Sequence, residues 1–118
     1  MVCSGSIFCR METISTVSLG KFSVGRGRPL ALVAGPCVLE NEEVANRIAH
    51  GLVRVATACG MPLVFKASYD KANRTSLDAY RGPGLVHGLE ILERIKRKFG
   101  VPILTDVHRP EDFAPVAE

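Results

Sequence analysis

The 118-residue chain has no tryptophan, and only 6% of its residues are aromatic. That scarcity argues against a nucleic-acid surface built from stacking platforms. Charge of neither sign dominates, since 15 Lys and Arg against 12 Asp and Glu leave a formal net charge of +3. So mild an excess suits a phosphorylated metabolite and falls short of the basic stripe of a nucleic-acid binder. No apolar run approaches the roughly 20 residues that cross a bilayer. The apolar patch Ser6–Cys9 is too short for a signal-peptide core and has no basic residue ahead of it. The four cysteines, Cys3, Cys9, Cys37 and Cys59, include no CxxC pair and read as free thiols of a reducing compartment. The expectation is a cytoplasmic protein with neither a membrane nor a nucleic-acid partner.

What is present is ordinary globular material, 47% hydrophobic and 23% charged, enough for one domain. Met1 to about Met11 shows no periodicity, so residues 1–13 are expected to be a disordered extension, with Met11 an alternative start. Ile14–Val24 alternates around Gly20-Lys21, the pattern of a short hairpin. Three apolar runs, Leu30–Ala34, Leu63–Ala67 and Pro102–Thr105, read as strands, the first two as strands buried on both faces. Two amphipathic helices lie between them. Asn41 or a neighbour caps the first, with Glu42 and Glu43 in its opening turn; Val44, Ile48, Leu52, Val55 and Cys59 form its apolar face, and Gly60 ends it. Pro83 opens the second, Leu85, Leu89, Leu92, Ile95 and Phe99 form its face, and Gly100 ends it. A third helix starts at Pro110–Asp112.

This β-α-β-α-β-α order implies a parallel sheet with helices outside it and all strand-end loops on one rim. Three βα units leave two sheet edges open, and a closed eight-fold barrel takes about 250 residues. The chain is therefore expected to be the truncated N-terminal part of a longer barrel enzyme, prone to self-association through its open edges.

Candidate chemistry falls on that rim. Val64–Gly84 runs from a strand into a loop carrying Lys66, Lys71, Asn73, Arg74, Thr75, Ser76 and Arg81, a gathering suited to a small, strongly anionic ligand, or simply a solvated basic loop. Lys66 inside an apolar strand needs either an anionic ligand or an internal carboxylate, Asp70 or Asp106. Asp106 and His108 are two apart, so both point one way from an extended strand end. They can share a ligand, orient one another, or simply terminate the strand. Cys37 follows Gly-Pro at a strand end, where a thiol is either a small hydrophobe or a metal-facing thiolate. His50 and His87 read as helix-surface residues.

Three segments, Leu32–Glu40 (LVAGPCVLE), Val64–Gly84 (VFKASYDKANRTSLDAYRGPG) and Ile103–His108 (ILTDVH), resemble in order and spacing the 3-deoxy-D-manno-octulosonate 8-phosphate synthases. The likeness runs from about Val17 to Glu118 and covers the N-terminal portion of that family. The related 3-deoxy-arabino-heptulosonate 7-phosphate synthases, which use erythrose 4-phosphate, share the Gly-Pro-Cys element. They typically carry Lys-Pro-Arg-Thr where this chain has Lys71-Ala72-Asn73-Arg74-Thr75. A third reading is a non-catalytic phosphosugar-binding remnant.

The resemblance implies an α/β fold, about three βα units plus an N-terminal hairpin of a (β/α)8 TIM barrel, over residues 14–118. It also implies a tetramer and an aldol-type condensation of phosphoenolpyruvate with arabinose 5-phosphate and water, serving lipopolysaccharide synthesis. By the same resemblance, Lys66, Ser68 and Lys71 line the phosphoenolpyruvate site. Asn73, Arg74 and Thr75 hold arabinose 5-phosphate, the last two across a subunit interface, and Asp106 lies near the sugar with His108 beside it. Cys37 resembles the metal-dependent branch, implying a divalent ion of the Mn, Fe or Zn type whose other ligands come from later strands. Arg109 stands where that family would have Glu.

Overall fold

A computed structural model describes residues 15–72 and 80–118. The residues 1–13 expected to be an extension therefore lie outside the described residues, as do Asn73, Arg74 and Thr75. The N-terminal alternation forms two antiparallel strands, β1 (Thr16–Leu19) and β2 (Phe22–Gly25), with Leu19 opposite Phe22. Gly20 supplies the left-handed φ of 69° that so tight a turn requires.

The apolar runs form a parallel sheet, β3 (Leu32–Ala34), β4 (Leu63–Lys66) and β5 (Ile103–Leu104), in the order β3-β4-β5. Each strand is shorter than its run. The first is also not buried on both faces, because β3 lies at the sheet's edge: Val33 is 53% and Leu30 83% exposed. β4 alone among the described strands has a neighbour on each side, and there Leu63, Val64 and Phe65 are all buried.

The first helix, α1 (Glu42–Ala58), starts at Asn41, whose Oδ1 accepts the Val44 N–H at 2.9 Å. Its buried line is Ala45, Ala49 and Ala56, with Ile48 and Leu52 half-buried beside it. Val55 and Cys59, expected on the apolar face, are exposed. The packing seam runs through the alanines because small side chains bring the helix close to its neighbours. The second helix, α2 (Leu85–Phe99), buries Gly88, Ile91, Leu92 and Ile95. Pro83 stands before the N-cap Gly84 and not at the first helical position, while Gly100 ends the helix in a left-handed conformation. A 3-10 turn, Pro110–Asp112, leads into α3 (Phe113–Ala117). No helix among the described residues is long and apolar enough to cross a membrane.

α1 packs on α2 and β4, and α2 on β5, around Leu39, Phe65, Ala67, Ile91 and Ile95. Side chains alternate along a strand, so with Phe65 and Ala67 committed to the helices, Lys66 and Ser68 face the other way. Extended pairing continues past β4, the Ala67 N–H donating to the Leu104 carbonyl at 3.2 Å. Beyond β3 it resumes at Val38, opposite Ser68. From the Ala34–Phe65 pair that is four residues on one side and three on the other, a bulge-like extra residue across Gly35-Pro36-Cys37. Gly35 is needed there, since a Cβ would overlap the Lys66 carbonyl oxygen.

Truncating fully buried Ile91 to Ala should cost about 3 kcal/mol, whereas Val86→Ala, on a 73% exposed residue, should stay within about 0.5 kcal/mol. Urea unfolding midpoints of the two variants measure the contrast.

Candidate functional site

The register carries three strand ends into one place. Lys66 pairs with Leu104 across the sheet, so two residues further on Ser68 comes level with Asp106. Lys66 Nζ donates to Ser68 Oγ at 3.1 Å and lies 3.4 Å from Asp106 Oδ1, while Ser68 Oγ donates to the same carboxylate oxygen. The partner of Lys66 is thus Asp106 and not Asp70. Burial works against ionisation of Asp106, but the Ser68 hydroxyl, its own backbone amide and the Lys66 charge outweigh it, and the carboxyl sits below its ordinary value.

His108 completes the group. Its Nε2 lies 2.8 Å from Asp106 Oδ2 and 3.0 Å from the Asp70 carbonyl oxygen. Both partners are acceptors, so Nε2 carries a proton. Asp106 and His108 therefore do orient one another. His108 also lines a cavity of about 600 Å3 with Tyr69, Asp70, Arg81 and Arg109. Lys66, Ser68 and Asp106 are not in the described wall of that cavity, so cluster and cavity meet at the imidazole.

Of the cations of this stretch among the described residues, Lys66, Lys71 and Arg81, two hold carboxylates. Arg81 holds Asp70 with Nε at 2.9 Å and Nη2 at 2.6 Å, and Lys66 holds Asp106. Lys71 donates its backbone N–H to the Arg81 carbonyl at 2.5 Å. The Gly84 N–H reaches the Tyr69 carbonyl at 3.2 Å and the Tyr80 hydroxyl the Glu40 carbonyl at 2.9 Å. The first two bonds tie together the chain on either side of residues 73–79, and the third ties Tyr80 to the segment before α1.

Cys37 accepts the Ser68 N–H at its carbonyl, 3.3 Å away, which fixes it beside the cluster as an exposed free thiol. Among the described residues no three His, Cys, Asp or Glu side chains converge to hold a metal ion. The described residues do not by themselves make a metal centre. His50 is exposed on α1, and His87 lies on the surface of α2 against Glu90.

Two buried polar residues escape the motif reading. Tyr69, 2% exposed, donates its hydroxyl to Asp112 Oδ2 at 3.0 Å; Asp112, 3% exposed, is also gripped by Arg109 Nε at 3.2 Å and Nη2 at 3.0 Å. Arg109 therefore brings no unbalanced charge to the rim. Burial first, then the Asp112 carboxylate, raise the Tyr69 phenol above its ordinary value. Tyr69 was within reach of the sequence, because it shares strand parity with Phe65 and Ala67, and a buried hydroxyl needs a partner.

Fold and cluster together define a parallel α/β chain with a polar site at the carboxyl ends of its strands, the place such sheets keep for ligands. Residues 11–118 match the DAHP synthetase I family, and the chain belongs to that family. It is 51% identical over 105 residues to the 2-dehydro-3-deoxyphosphooctonate aldolase of Geotalea daltonii, covering 89% of this chain and 39% of that protein. The enzymes of the same name from Citrifermentans bemidjiense and Azotobacter vinelandii are 53% and 50% identical, over 86% and 90% of this chain and 37% and 38% of their own lengths. The chain thus spans about two fifths of the length of the curated relatives it matches.

Because the folded Asp106 carboxyl lies below its ordinary value of 3.8, its ionisation stabilises the fold at neutral pH. That contribution drains away as pH falls below about 4. Asp106→Asn should therefore lose stability less steeply than the parent between about pH 5 and about pH 3 in urea titrations; parallel curves would contradict the assignment.

Proposed function

We propose that this chain supplies the first three βα units, with an N-terminal hairpin, of a (β/α)8 barrel enzyme of the cytoplasm. That enzyme condenses phosphoenolpyruvate with arabinose 5-phosphate and water to 3-deoxy-D-manno-octulosonate 8-phosphate and inorganic phosphate. The observation that carries this reading is the Lys66–Ser68–Asp106–His108 cluster at the strand ends, in a chain half identical to relatives named for that product.

Each described residue has work of its own kind. Lys66 carries a positive charge already desolvated on one side and balanced by Asp106, so an arriving carboxylate or phosphate meets a cation fixed in place. Lys71 adds a second cation further along the chain, and Ser68 offers a hydroxyl beside Lys66. Asp106 and His108 orient each other and present a carboxylate and an imidazole to the hydroxyls of a sugar. Asn73, Arg74 and Thr75 are proposed to hold the acceptor phosphate, with the last two reaching it in a homotetramer. Cys37 is proposed as one donor to a Mn, Fe or Zn type of ion. A lone thiolate holds no divalent ion, and no step above depends on it.

A polypeptide extending this chain to its relatives' full length should release phosphate from phosphoenolpyruvate when arabinose 5-phosphate is present. Lys66→Met in that protein should cut turnover about a hundredfold. Release with erythrose 4-phosphate alone would overturn the choice of acceptor. Phosphosugar binding without turnover would make the chain a binding module. The 118-residue chain by itself should not turn over, even with Mn2+ or Zn2+ added.

A further inference from the structure

The segment leaving β5 carries His108 out of the sheet, and nothing in β5, a two-residue strand, can fix its direction. What fixes it lies on either side of the imidazole. Tyr69 stands next to Ser68, with its ring centroid 6.1 Å from that of His108 and the planes inclined at 60°. The tyrosine is itself wedged, because Gly88 of α2 comes so close that a Cβ there would overlap the Tyr69 Cβ. Its hydroxyl then reaches Asp112, four residues past His108, and Arg109 closes the same carboxylate from the other side. A carboxylate this buried is costly unless fully paired, and here it receives three hydrogen bonds.

We propose that Tyr69 and Asp112 are positioning residues that hold His108 with its Nε2–H shared between Asp106 and the Asp70 carbonyl. They form a buried latch between the end of β4 and the loop after β5. Neither needs to touch a substrate; they act through the tautomer and direction of the imidazole. The assignment rests on the reading of His108 as a site residue, but its test reads His108 directly and needs no turnover.

The test is 15N and 1H NMR of the imidazoles in the 118-residue chain. In the parent, His108 should show the Nε2–H tautomer and a cross-peak to the ring of residue 69. Tyr69→Phe keeps the ring and removes the hydroxyl; the His108 tautomer pattern should collapse toward an averaged one and the ring cross-peak should be lost. Asp112→Asn keeps an acceptor for the Tyr69 hydroxyl and should preserve both signals, whereas Asp112→Ala should abolish them. His50 and His87 should not move in any variant, which separates a local effect from unfolding. Arg109→Gln alters an exposed side chain and covers the case in which a buried substitution prevents folding; it should weaken the cross-peak. Unchanged His108 signals in Tyr69→Phe and Asp112→Ala would overturn the proposal, as would Asp112→Asn behaving like Asp112→Ala. If neither buried variant folds, an unchanged cross-peak in Arg109→Gln would overturn it.

Discussion

β4 has a strand on each flank and helices over one face, and that one constraint organises the rest. With β3 and β5 on its flanks and both helices over one face, its alternate residues have no choice of environment. Phe65 and Ala67 must meet α1 and α2, so Lys66 and Ser68 must meet whatever lies on the opposite face. A lysine forced to that position requires a counter-charge, and the parallel register with β5 brings Asp106 level with Ser68 to provide it. The polar cluster is thus a consequence of how the core is filled.

Three cations near the strand ends are balanced locally among the described residues: Lys66 faces Asp106, Arg81 faces Asp70 and Arg109 faces Asp112. In the function we propose, cations already oriented by neighbouring carboxylates lose less freedom when a phosphorylated ligand arrives than flexible surface lysines would.

Much of this was legible in the sequence, for identifiable reasons. Asn41 with Glu42 and Glu43 announces the start of α1, Gly100 the end of α2, and the apolar run at Leu63 a buried strand, because each signal is local. Failures occurred where the answer depends on three-dimensional partners. Asp70 and Asp106 were equal candidates for Lys66 until the strand register chose between them. The seam of α1 through Ala45, Ala49 and Ala56 was hidden by the larger Val55 and Cys59, which face outward. The extra residue at Gly35-Pro36 is a property of the β3–β4 pairing and has no trace in β3 alone. Asp112 looked like the opening of a third helix. Only the approach of Tyr69, 43 residues earlier, shows it to be a buried acceptor.

The central claim is that Lys66 and Asp106 lock the ends of β4 and β5 into a single site. A double-mutant cycle with Lys66→Met, Asp106→Asn and the double variant, followed by urea unfolding at neutral pH and low salt, tests it most directly. For a partly exposed pair reinforced by Ser68 the predicted coupling is about 0.5–1 kcal/mol, decreasing as salt is raised. Strictly additive single-variant effects at low salt would contradict the account.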